Sequence, residues 1–211
     1  MATYQDYKNS ALANLEGNWG TAAIAALIFY FLTMGLDWGV TTPMGGNMTM
    51  SYSTSGILTL IFLPLSWGFS VFFLRLIRGE ELGYGRLFDG YKDFLRIFLA
   101  EFLMTLLIAI GLCLLIVPGI VLASGLLMTD FILKDDPEIS AIDAMKKSWE
   151  MTKGHKADLV GFFFSFFGWF LLCLLTLGIG FIFLTPYMQT SLAHYYEDLK
   201  VEKGEDLGGI Y

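Results

Sequence analysis

The chain has 211 residues, 55% of them hydrophobic and only 16% charged, with a net charge of −7. A soluble domain carries about 45–50% apolar residues and about 25% charge. Here the excess lies in long unbroken runs, which excludes an ordinary soluble fold. The acidic balance argues against a nucleic-acid role, and two cysteines, Cys113 and Cys173, both inside apolar runs, do not make a disulfide framework.

In chain order, residues 1–18 read as a short amphipathic helix with Tyr4, Tyr7, Ala11 and Leu15 on one stripe, expected to lie on a membrane surface. The first apolar run begins near Trp19 after a mixed segment whose single base is Lys8, so no cleavable signal peptide is expected. Residues 19–36 form a first span, bracketed by the interfacial aromatics Trp19 and Trp38. Residues 37–56 read as a loop rich in Gly, Thr, Ser and Met, and 57–77 as a second span carrying Pro64. A basic connection with the amphipathic piece GRLFDGYKDF leads to a third span, 97–117, which Pro118-Gly119 breaks. A short fourth run, 119–133, follows. In the next connection, Ser140 and Asp143 mark a helix N-terminus and Gly154 its end, with Ile142, Met145 and Trp149 on one face. It reads as an interfacial helix, its apolar face toward the bilayer and its lysines toward headgroups. Spans at 159–177 and 181–196 and an acidic, flexible tail at 197–211 complete the chain. The expected fold is an all-α polytopic membrane protein: a single domain, residues 1–196, of six transmembrane helices in three hairpins, with amphipathic interfacial helices on the cytoplasmic side.

All 13 basic residues fall in alternate connections: Lys8; Arg75, Arg78, Arg86, Lys92 and Arg96; Lys134, Lys146, Lys147, Lys153 and Lys156; Lys200 and Lys203. The positive-inside rule then places both termini in the cytoplasm. A unit of surface helix, glycine, span, turn and proline-bearing span recurs three times, with junctions at Gly17, Gly90 and Gly154 and prolines at Pro64, Pro118 and Pro186.

The stretches LEGNWGTA, LIRGEELGYGRLFDGYKDF, LLIVPGI with FILKDDPEI, and AMKKSWEMTKGHKADLVGFFFSFFGW through TLGIGFIFLTPYMQTSLAHYY carry a resemblance to a bacterial integral-membrane family, Domain of Unknown Function 975. Between Leu12 and Leu199 the chain resembles that family. The resemblance implies a bacterial cytoplasmic-membrane protein of the same topology and implies no activity. The Met-rich loop is outside the pattern.

Candidate chemistry is sparse. Glu101 and Asp130 are the acids nearest membrane depth. Two readings fit them: interfacial acids paired with Arg96 and Lys134, or part of a proton or cation path that also draws on Ser66, Thr190 and Gln189. Arg75, Arg78, Arg86, Lys146, Lys147, Lys153 and Lys156 form a basic set suited to anionic headgroups or a partner. His155 and His194 lie on separate elements and lack metal-site spacing. Met44, Met48 and Met50 are read as incidental loop residues rather than a soft-metal site. No Walker loop, GxSxG, catalytic acid pair or metal cluster is visible, so neither an enzyme nor a cofactor is expected. The expected function is a non-enzymatic envelope scaffold, accessory or lipid-interacting protein, the bilayer and its anionic headgroups being the main partner and a protein partner or second copy a further one. The competing expectation is a small transporter or channel.

Overall fold

The computed structural model describes residues 2–34, 39–43, 49–53 and 55–204. In order these form α1 (Tyr4–Leu15), α2 (Trp19–Met34), strands β1 (Gly39–Pro43) and β2 (Thr49–Ser53), α3 (Ser55–Ile77) and a 3-10 segment (Tyr84–Tyr91). There follow α4 (Phe94–Leu114), α5 (Ile116–Leu126), α6 (Thr129–Asp135), α7 (Ala141–Met151), α8 (Lys156–Phe164), α9 (Phe167–Leu175) and α10 (Phe181–Glu202). Trp38, Met44, Met48 and tail residues 205–211 lie outside the described residues.

Helices dominate. By length and composition four helical stretches are fit to cross a membrane: Leu60–Ile77, Phe94–Leu114, Ile116–Asp135 and Lys156–Leu175. A fifth is reached if Tyr4–Leu15 and Trp19–Thr33, bent by 98°, count as one broken span. The expected six are not all reached on this basis. Helix α2 has 16 residues, and the last turns of α10 carry Glu197, Asp198, Lys200 and Glu202. The expected loop at 37–56 contains an antiparallel strand pair, with Gly39 opposite Ser53 and Pro43 opposite Thr49. Its Val, Thr and Tyr residues suit a pleated backbone.

The fourth run is longer than expected. Pro118 falls in the first turn of α5, where a missing amide costs little, so it opens the helix rather than cutting it short. Together α5 and α6 cover Ile116–Asp135. The tail also starts later than expected, because α10 runs on to Glu202 and its final turns are bonded to α1, to Arg78 just past α3, and to α6. The three repeat junctions differ in backbone: Gly17 and Gly154 have φ of +82° and +95°, as helix-ending glycines do, whereas Gly90 has no positive φ.

Helix α1 corrects the surface-helix expectation. The stripe is right, since Tyr7, Ala11 and Leu15 are buried, but protein covers it. Tyr7 donates to Asp198 Oδ2 at 2.7 Å, and Asn14 and His194 are joined at 2.7 Å, so α1 lies along α10. On its other flank Tyr4 meets Phe162 edge-on. Lys8 Nζ donates to the Ser165 carbonyl at 2.7 Å, at the break between α8 and α9. An apolar stripe specifies that something covers it; lipid and protein satisfy it equally.

Helix α7 begins as expected, with the Ser140 side chain accepting from the Asp143 amide. Its buried face is Ala141, Ala144, Met145, Ser148 and Met151, continued by Thr152. Both hydroxyls reach the Gly125 carbonyl, at 2.9 Å from Ser148 and 3.2 Å from Thr152. Ile142 and Trp149, placed by the sequence on the bilayer face, stay exposed.

Candidate functional site

Helix α3 carries Ser66 and Ser70 one turn apart, and so on one face. Helix α4 carries Glu101, seven residues and about 10 Å from its Phe94 end. Helix α6 brings Asp130 in its first turn. Trp67 fastens α6 to α3 by donating its indole N–H to the Asp130 carbonyl oxygen at 3.0 Å. The result is a small polar cluster. The groups acting on the Glu101 carboxyl are Asp130 and Ser66, and those acting on Asp130 are Ser70 and Glu101. Glu101 is buried. Among the described residues, Glu101 Oε1 and Asp130 Oδ1 are buried without a hydrogen-bond partner.

The expected pairing of these acids with Arg96 and Lys134 is not what the structure shows. Arg96 donates to the backbone carbonyls of Asp136 at 3.0 Å and Ile139 at 3.3 Å, and Lys134 approaches Glu80 at 3.6 Å. Five residues on a helix turn through about 140°, so Arg96 and Glu101 point apart. Two carboxylates near 4 Å repel by about 4 kcal/mol at a protein-like dielectric. Among the described residues no base pairs with either acid, so the site holds excess negative charge unless a proton or a cation neutralises it.

The other polar candidates do not join the cluster. Thr190 spends its hydroxyl on the Pro186 carbonyl of its own helix at 2.8 Å. Gln189 sits on α10 with Oε1 buried and without a hydrogen-bond partner. Neither Ser70 nor the α6 break was singled out from the sequence. The signal for Ser70 was its spacing of four residues from Ser66 on an otherwise apolar helix.

The basic set divides in two. Arg75 and Arg78 are buried or nearly so and hold the bundle together. Arg75 contacts Asp89 at 2.7 Å and Glu80 at 3.6 Å. Arg78 grips both Asp135 oxygens at 2.5 and 2.9 Å and Glu197 at 2.7 Å. Burial alone would weaken the Arg78 charge, but these two carboxylates hold its guanidinium above its ordinary pKa. Burial likewise acts to raise Asp89, and Lys92 and Arg75 outweigh it, holding this carboxyl below the usual range.

The remaining bases are more open. Arg86 is partly exposed, 3.7 Å from Asp89. Lys146 is exposed and 3.1 Å from Asp143. Lys147 is half-buried, Lys153 exposed, and Lys156 sits over the Trp149 ring. Beside them, Leu103, Leu106, Leu107, Leu122, Ile142, Met145 and Trp149 line an apolar groove of about 410 Å³, with Lys146 also in its wall. Both histidines have structural partners: His155 contacts Glu202 at 2.9 Å, and His194 contacts Asn14. Among the described residues no three His, Cys, Asp or Glu side chains converge as a metal-holding group.

The model of the family described as Protein of unknown function (DUF975) matches residues 106–203. The resemblance carried by LLIVPGI, FILKDDPEI and the long motif from Ala144 to Tyr196 is thus shown over that stretch, whereas LEGNWGTA and the Leu76–Phe94 motif lie before it. No curated protein and no solved structure matches the chain.

Proposed function

We propose that this is a non-enzymatic multi-pass protein of a bacterial cytoplasmic membrane, with six crossings and both termini in the cytoplasm, that contacts anionic lipid through α7 and its flanking lysines. The observation that carries the proposal is the α7 groove. An exposed apolar stripe, Ile142 and Trp149, continues onto Leu103, Leu106 and Leu107, with Lys146 at its edge. That pairing of an acyl-chain surface with a cation suits a lipid bearing a headgroup phosphate. The alternating distribution of bases supports the orientation.

The protein in nanodiscs containing phosphatidylglycerol should retain the lipid stoichiometrically in native mass spectrometry, and should not retain phosphatidylcholine. At about 1 kcal/mol per lysine, replacing Lys146 and Lys147 by alanine should weaken retention roughly thirtyfold. Equal retention of both lipids, or no effect of the double replacement, would end the lipid assignment. For topology, single cysteines at Ser53 and Lys147, in a chain with Cys113 and Cys173 replaced by serine, should label from opposite sides of sealed vesicles. Labelling from one side would refute the six-crossing layout.

A second reading, a small transporter or channel, is favoured by one observation: the Glu101–Asp130 acid cluster, in which Glu101 Oε1 and Asp130 Oδ1 are buried without a hydrogen-bond partner.

A further inference from the structure

Two acids face each other where α3, α4 and α6 meet, and no ion pair joins either of them to a base among the described residues. Glu101 is 7% exposed and keeps one carboxyl oxygen without a hydrogen-bond partner; Asp130 keeps another. The bases on the surrounding elements are engaged elsewhere. Arg75 is held by Asp89 and Glu80, Arg78 by Asp135 and Glu197, and Lys134 by Glu80. Arg96 is held by backbone carbonyls and Asp93. On α7, Lys146 is held by Asp143. On α10, Lys200 is held by Asp135. Glu80, Asp89, Asp135 and Glu197 are in turn the partners of those same bases.

Burying two uncompensated carboxylates is unfavourable enough that a charge-neutralising partner is required. The donors present are all oxygen. The Ser66 hydroxyl lies 2.6 Å from the Leu63 carbonyl and also hydrogen-bonds to the Glu101 carboxyl, which places its oxygen at the acid pair with lone pairs to offer a cation. Oxygen-only sites suit hard ions and protons, not soft metals.

We propose that Glu101 and Asp130 form the binding site of one small cation, a proton or an alkali-metal ion, with the Ser66 and Ser70 hydroxyls completing its oxygen shell. The site links three helices, so its occupancy stabilises their packing. It does not require the cation to cross the membrane, and its failure would leave the α7 lipid contact untouched.

The test uses the full chain in lipid nanodiscs. The unfolding temperature is followed while Na⁺ or K⁺ replaces choline at constant ionic strength, and the infrared carboxylic-acid C=O band is recorded in choline alone at neutral pH. An alkali-metal site gives a saturable rise in unfolding temperature. A proton site gives the acid band without that rise. Either signal should vanish in Glu101→Gln and in Asp130→Asn. Ser66→Ala leaves both acids in place. It should weaken half-saturation by roughly tenfold, the scale of one hydrogen bond to a charged group, or shift the acid band. Should the acid variants not fold, the wild-type signal and its response to Ser66→Ala decide. Neither signal in the wild type, or a signal unchanged in the variants that fold, overturns the proposal.

Discussion

Asp135→Asn should lower the unfolding free energy by about 4 kcal/mol, the scale of removing one member of a buried ion pair. Asp135, at the end of α6, gathers two neighbours: Arg78, in the turn just after α3, binds both its oxygens, and Lys200 at 2.7 Å and Tyr196 at 2.9 Å reach it from α10. Its side chain is 19% exposed, and those of Arg78 and Lys200 are 14% and 13%. Solvent can do little to rescue the charges left behind. The destabilisation should come from the stranded bases rather than from the lost attraction. Replacing Arg78 and Asp135 together by methionine should therefore cost clearly less than the sum of the two single changes. Thermal and denaturant unfolding in detergent would measure this cycle. Additive single effects would show that the network is not a coupled unit.

Gly68→Ala should be nearly as damaging, at about 3 kcal/mol, the upper part of the usual overpacking range. A Cβ at position 68 would stand 1.9 Å from the Leu87 carbonyl oxygen and 2.7 Å from its carbon. The obstacle is backbone, so no rotamer change removes it. The 3-10 segment would have to move off α3, drawing out the buried Leu87 and loosening the Asp89 contact with Arg75. Gly20→Ala is the matched control: it is also helical, its added Cβ meets nothing within 4 Å, and it should gain up to about 1 kcal/mol from helix propensity. The same response in both variants would mean that the 3-10 segment does not lie against α3 as the structure places it.

The two predictions show where local pattern stops being informative. The GRLFDGYKDF stretch reads from sequence only as a polar, basic connection with an amphipathic piece. That Leu87 would press on Gly68 depends on the path of the connection, which periodicity does not encode. The apolar stripe of α1 was legible, and its partner was not, because the same face fits lipid or α10. On α7 the N-cap at Ser140 was readable from residue types alone. Its inward face keeps Met145 and Thr152 of the expected stripe but is rotated from it, because the helix turns Ser148 as well as Thr152 toward the Gly125 carbonyl and leaves Ile142 and Trp149 outside.

By itself the amino-acid sequence determined that the chain is rich in membrane-length apolar helices, that its bases alternate between connections, and that it resembles the DUF975 family. These are properties of run length, composition and spacing, which act along the chain. Only the tertiary structure decided which charges are spent inside the protein. It sends Arg75 and Arg78 to Asp89, Asp135 and Glu197, and it turns Glu101 and Asp130 toward each other instead of toward the bases nearest them in the chain. The reason is physical. In a low-dielectric bundle each charge is governed by whichever group lies within a few ångströms, and helices far apart in sequence supply that neighbour.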